Sequence, residues 1–188
     1  CAALLPALTQ LAVDAPGAPH GGGRPLGLVE VGASAGLNLL VDRYGYEYEP
    51  GHHRVGHRSV LTLHCDLRGP LVPPLGADPP EIASRAGLDH HPVDLADRAQ
   101  ARWLVACQWP DQPERIHRAR TAIALAHGTP PRVVAGDAVD DVGVLVLAVA
   151  GHALPVVVAT WVLAYLDADR QRAFLAELDR LGSMRDLS

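Results

Sequence analysis

The residues with the most chemical potential lie in the run Leu28-Val-Glu30-Val-Gly32-Ala33-Ser34-Ala-Gly36-Leu-Asn38-Leu-Leu40. An apolar strand pattern carries an acid, Glu30, near its end. A turn of small residues follows, and Leu37, Leu40 and Val41 then recur at helical spacing. Strand, small-residue turn and helix start together expose backbone N–H groups to a ligand, and the glycines let that ligand approach the main chain. Polar residues also close three later strand-like runs: Asp89, Asp137 after Gly136, and Thr160. Carboxylates and a hydroxyl gathered at strand ends suit recognition of a polar small molecule. No residue stands out from the sequence as a general base, so the catalytic residues are unassigned at this level.

The elements needed to position these residues alternate between strand and helix. A short helix is expected over 1–13 and a Gly/Pro-rich loop from Asp14 to Pro25, with Gly21, Gly22 and Gly23 in succession. Strands are expected at Leu26–Val31, Ser59–Cys65, Ala86–Asp89, Arg132–Ala135 and Leu154–Thr160. Helices are expected at Ala35–Tyr44, on both sides of Pro110 and Pro113 within Asp97–His127, and at Ala168–Leu181 with Gly182 as its stop. Gly45–Gly56 reads as a loop or short hairpin, and Gly69–Pro80 as an irregular Pro-rich stretch. The pattern predicts one α/β domain over residues 1–188. An N-terminal helix and loop occupy 1–25, and a Rossmann-like core occupies 26–188 with a Pro-rich insertion at about 45–85. Its parallel sheet, covered by helices on both faces, is expected in the order 3-2-1-4. Glu30, Asp89, Asp137 and Thr160 then share one edge.

Composition narrows the function classes. The 188 residues are 48% hydrophobic and 20% charged, which describes a globular chain. A net charge of −5 argues against a non-specific nucleic-acid surface. The longest apolar run, Val142–Val149, falls short of a membrane span, and no signal peptide is visible. Cys1, Cys65 and Cys107 share no metal spacing and suggest free thiols in a reducing, cytoplasmic compartment. All the basic side chains are arginine, as high-GC coding bias produces. The start at Cys1 and the stop at Ser188 predict an internal piece of a longer protein, with Pro155–Thr160 as the edge of a sheet that continues elsewhere. The partner expected is a small-molecule ligand; oligomeric state is not legible.

Glu30-x-Gly32-x-Ser34-x-Gly36 resembles the first motif of the class I methyltransferases that use S-adenosylmethionine, in which the pattern is acid-x-Gly-x-Gly-x-Gly. The resemblance implies that Gly32, Ala33, Ser34, Gly36 and Asn38 lie against the ligand's amino-acid portion and that Glu30 orients its ammonium. Ser34 replaces the middle glycine. An acid ending the second strand would take the ribose hydroxyls. Asp89 is the first candidate and Asp66 the rival, with helix capping an equal alternative for each. Asp137 would lie in the adenine-contacting segment, and Thr160 at the methyl-transfer site. Trp161 is expected to pack in the core.

Three longer stretches carry a closer likeness. Val31–Tyr44, Arg85–Asp94 with its Asp89-His-His-Pro92, and Arg102-Trp-Leu104 with Trp109-Pro110 resemble the bacterial family known as domain of unknown function 2332. That resemblance implies a methyltransferase-like fold and supplies no activity.

The same turn also fits Gly-x-Ser-x-Gly, the nucleophile elbow of α/β-hydrolases, with Ser34, Asp137 and His152 in triad order. His152, however, precedes a strand. A third alternative is a non-catalytic domain of methyltransferase fold. His52, His53, His57, His64 and Cys65 read as a solvated loop and not as metal ligands. Arg98, Arg102, Arg115, Arg118 and Arg120 alternate with Asp94, Asp97, Asp111 and Glu114 and are expected to form an ion-paired face.

Overall fold

A computed structural model describes residues 1–18, 23–56 and 59–185. Four parallel strands form the central sheet: β1 (Leu26–Val31), β5 (Ile82–Asp89), β6 (Val133–Ala135) and β7 (Leu154–Val158), in the order β6-β5-β1-β7. Counted along the core, this is the expected 3-2-1-4. The register is in phase at the strand ends: Val31 lies opposite Leu88, Asp89 opposite Ala135, and Glu30 opposite Val158. All four C-terminal ends therefore open on the same edge.

Each face of the sheet is covered. On one face Leu26 and Leu28 pack with Leu5 and Leu8 of α1 (Leu4–Asp14) and Ile123 and Ala126 of α3 (Pro113–Gly128). On the other, Val29, Val31 and Leu88 pack with Val142 and Val146 of α4 (Val142–Leu147) and Phe174 and Leu181 of α5 (Ala168–Arg185). The alternation of Leu28 and Glu30 against Val29 and Val31 is the two-residue strand period. Here both faces are buried, as a helix-covered parallel sheet requires. No described helix is long and apolar enough to cross a membrane.

The segment Gly45–Asp66 builds a second, smaller sheet. β2 (Gly45–Glu49) pairs antiparallel with β3 (His53–Val55) and parallel with β4 (Thr62–Asp66). Of the two readings for Gly45–Gly56, the hairpin is the one observed. Three buried tyrosines, Tyr44 just before β2 and Tyr46 and Tyr48 within it, reach out of this sheet. Tyr44 donates to Leu37 O at 2.7 Å, Tyr46 to Val41 O at 2.6 Å and Tyr48 to Ala2 O at 2.7 Å. Tyr44 and Tyr46 thus tie the segment after β1 to the small sheet, and Tyr48 ties residues before α1 to it. Burial pushes all three hydroxyls up, Tyr48 to about 12.

Several boundaries differ from the sequence expectation. Ala35–Tyr44 is not an α-helix but a 3₁₀ segment, Leu37–Arg43, which starts after the left-handed Gly36 (φ 69°) and is kinked at Leu40 (φ −92°, ψ 22°). β5 begins at Ile82, four residues earlier than expected. α4 lies where only an apolar run was recognised, since six residues are too few to show helical period. α5 runs through Gly182 to Arg185; a Gly inside a helix weakens it by about 1 kcal/mol without obliging it to stop. α2 (Arg98–Ala106) and α3 meet around Pro110 as expected. The triple glycine lies partly, and His57 wholly, outside the described residues.

Candidate functional site

The turn after β1 is built from left-handed residues: Gly32 (φ 76°), Ser34 (φ 52°) and Gly36 (φ 69°). Gly32 and Gly36 are needed there on two grounds. A Cβ on Gly32 would lie 3.0 Å from the Val162 Cβ, and one on Gly36 would lie 2.9 Å from Pro131 and Val133 side-chain carbons. Ser34 adopts the same region at a cost of about 1–2 kcal/mol. What holds it is Asp89. The Ser34 N–H donates to one Asp89 carboxylate oxygen at 2.7 Å, the His91 N–H donates to the other at 2.8 Å, and Ser34 O accepts from Val93 N–H at 3.1 Å. The Gly32 and Ala33 N–H groups both donate to Leu88 O, and the Gly36 N–H to Ala33 O. The turn's donors, expected to face a ligand, are thus engaged within the protein, and Asp89 fills the anion's place.

Above this turn lies a cavity of about 450 Å³, within the size range of small-molecule sites. Gly32 and Ser34 form its floor, Asp89 and His90 one wall, Gly136 and Ala138 another, and Trp161, Val162 and Tyr165 the side next to β7. Of the residues singled out from sequence, Gly32, Ser34 and Asp89 face it directly. Asp137 meets it through His90. Thr160 is exposed beside it. Ala33 is buried, and Gly36 packs on Pro131 and Val133. Asp66 ends β4 in the small sheet, so Asp89 alone of the two acids stands on this edge. Trp161, expected in the core, is 75% exposed at the cavity mouth, and Tyr165 is 85% exposed. The 3₁₀ turn Val162–Tyr165 places both rings outside the helix layer.

Glu30 is 2% exposed and lies beneath the turn, not in the cavity wall. Its Oε1 accepts from Asn38 Nδ2 at 2.6 Å, while Oε2 has no hydrogen-bond partner. Burial pushes its carboxyl up to about 7; the Asn38 hydrogen bond opposes the shift and nearby Asp89 adds to it. Glu30 and Asn38 therefore pair with each other under the small-residue turn.

Asp137 behaves differently. Its Oδ1 accepts from the Val139 and Asp140 N–H groups, at 2.7 and 3.1 Å, and from the Arg170 guanidinium. Its Oδ2 lies 3.2 Å from His90 Nε2. Burial alone would raise this carboxyl, but those two N–H groups and Arg170 together hold it below the usual carboxylate range. His90 and Arg170 were not recognised from sequence. The available signal was the run Asp89-His90-His91-Pro92 directly after a strand.

The other sequence candidates are dispersed. His152 precedes β7, at the opposite edge from Ser34, and the five-residue strand separates them by roughly 16 Å. The triad Ser34–Asp137–His152 is not assembled. His52 lies 2.5 Å from Glu49, and His64 lies 3.3 Å from Glu47, which also accepts from Arg54. Glu47, Glu49 and His52 do bring ligand atoms within 4.8 Å of one another, on the small sheet and away from the cavity. The expected ion-paired arginine face is instead a set of caps: Asp97 caps α2 through the Ala99 and Gln100 N–H groups, and Asp94 accepts from Ala96 N–H.

Comparison with known proteins adds a family. The model of the family described as "Uncharacterized protein conserved in bacteria (DUF2332)" matches residues 1–188. No curated protein and no solved structure matches the chain.

Proposed function

The chain belongs to this family of uncharacterised bacterial proteins, and for it we propose an S-adenosylmethionine-binding domain that methylates a small molecule. The observation that carries the proposal is the position of the cavity. In a 3-2-1-4 sheet the crossovers leave β1 in opposite directions, and the crevice that opens there is where α/β folds take ligands. The residues fit an adenosyl group. Gly32, left-handed and packed against Val162, lines the cavity with Ser34. Asp89 uses one lone pair on each oxygen for Ser34 and His91, and keeps two more for vicinal ribose hydroxyls. Gly136 and Ala138 offer a flat apolar wall to adenine. When bound, the group supplies a methyl on a positively charged sulfur. The protein's part is to orient that methyl and exclude water.

The turn's own N–H groups are engaged, so recognition rests on Asp89 and on the apolar lining of the cavity. The serine-hydrolase reading has no support in the geometry, since His152 is on the wrong edge. Calorimetry with S-adenosylhomocysteine tests the proposal. Wild type should bind. Gly32→Val should not, because its side chain at a left-handed position, with Cβ 3.0 Å from the Val162 Cβ, pushes Val162 out of the cavity lining while the strand below, held by β5 and β7, survives; thermal melting checks that survival. Absence of binding by wild type, or equal binding by both, contradicts the proposal.

A further inference from the structure

We propose that His90 is the proton acceptor of this cavity, positioned by Asp137, and that the methyl acceptor is a phenol-type compound: a flat ring bearing a weakly acidic hydroxyl. This rests on the methyl-transfer reading above.

His90 lines the cavity, and its Nε2 lies 3.2 Å from Asp137 Oδ2. The carboxylate is itself fixed. Val139, Asp140 and Arg170 bind its other oxygen, and the Asp137 N–H donates to Asp141 at 2.7 Å. A carboxylate held at that nitrogen selects the tautomer with the proton on Nε2 and leaves the Nδ1 lone pair free to take a proton. The backbone on which His90 rides is pinned on either side, because Asp89 is tied to Ser34 and to the His91 N–H. The charged and titratable groups facing His90 are Asp89 before it, Asp137 from the β6 end, Arg170 of α5 with its second partner Asp140, the His91 ring at 6.3 Å, and Tyr165 across the cavity.

Trp161 and Tyr165 supply the other half. Trp103 and Trp109 are similarly exposed, but of the exposed aromatic rings Trp161 and Tyr165 are the two that line this cavity, on the side supplied by the segment after β7. A flat ring stacked there brings its hydroxyl toward His90. In the step, the acceptor oxygen forms a bond to the methyl carbon as the carbon–sulfur bond breaks with its electron pair going to sulfur. The hydroxyl proton passes to His90 Nδ1 and from there to water. Such a base contributes about 10²–10⁴-fold to rate.

The test combines side-chain ¹⁵N spectra of the histidines, calorimetry with S-adenosylhomocysteine, and transfer of tritium from methyl-labelled S-adenosylmethionine to catechol and substituted phenols. The expected spectrum shows His90 protonated on Nε2 at neutral pH. Asp137→Asn should remove that preference for the Nε2 proton. His90→Gln should bind S-adenosylhomocysteine as wild type does, yet transfer methyl at least about 100-fold more slowly and without the wild-type pH dependence. If S-adenosylhomocysteine does not bind wild type, the methyl-transfer reading falls and takes this proposal with it. If it binds but the proton sits on Nδ1, or Asp137→Asn leaves the tautomer unchanged, or His90→Gln transfers at the wild-type rate, the role of His90 is overturned alone. If no phenol is methylated, the acceptor class is overturned.

Discussion

Glu30 is a carboxyl buried with only one of its oxygens bonded, and this gives stability a definite pH dependence. In the unfolded chain Glu30 loses its proton around its ordinary value of 4.5, and in the fold around 7. Between those values the folded state retains a proton that the unfolded state has released. Stability therefore falls as pH rises through this window and is level above it. Glu30→Gln keeps an acceptor for Asn38 and removes the ionisation. It should leave stability near pH 4 almost unchanged and raise it by up to about 3 kcal/mol near pH 8. Urea unfolding at the two pH values checks this; an equal effect at both would show that the carboxyl is not perturbed by burial. Sequence alone marked Glu30 as a ligand contact because of its place before the turn. Which way a strand residue points relative to the cavity depends on the pleat and its neighbours, and that is settled only by packing.

At the scale of elements, an ion pair joins the 3₁₀ segment to β5. Arg85 of β5 donates to both Asp42 oxygens, at 2.7 and 2.9 Å, and to Leu39 O at 2.8 Å. Both side chains are 18% exposed. Asp42→Ala strands the guanidinium in a largely buried position and should cost about 3 kcal/mol. Denaturant unfolding measures it; a loss under about 1 kcal/mol would mean that the tyrosine hydrogen bonds alone hold the segment. This pair also explains why β5 was read too short. Ser84-Arg85 looks like a polar loop in sequence, and only the partner Asp42 shows it to be strand. The C-terminal ends of three core strands are legible in the sequence, at Val31, Asp89 and Ala135, because small or polar residues interrupt the apolar runs there. The segment after β1 reads as a helix because Leu37, Leu40 and Val41 have helical spacing, while the backbone leaves the helical path at Leu40. His90 was overlooked because its partners Asp137 and Arg170 come from distant elements, and only the sheet order brings them to one edge.

At the scale of the whole molecule, function follows from topology. One parallel sheet in the order 3-2-1-4 brings the Gly32–Gly36 turn, Asp89 with His90, Gly136 with Asp137, and Trp161 with Tyr165 around a single cavity. The two hydrophobic clusters on either face make that edge a rigid frame. That order was readable from alternating strand and helix patterns under the right-handed crossover rule. The rings at the mouth were not, because a Trp after an apolar strand ordinarily packs inward. Another groove, of about 550 Å³ between α2 and α3, is one competing location for a ligand. Amide hydrogen exchange with and without S-adenosylhomocysteine distinguishes the two directly. Binding at the sheet edge should slow exchange in Gly32–Gly36, Asp89–His91, Gly136–Asp140 and Thr160–Tyr165 while leaving α2 and α3 unchanged. Slowed exchange confined to α2 and α3, or no change anywhere in the chain, would contradict an adenosyl-ligand site at the end of this sheet.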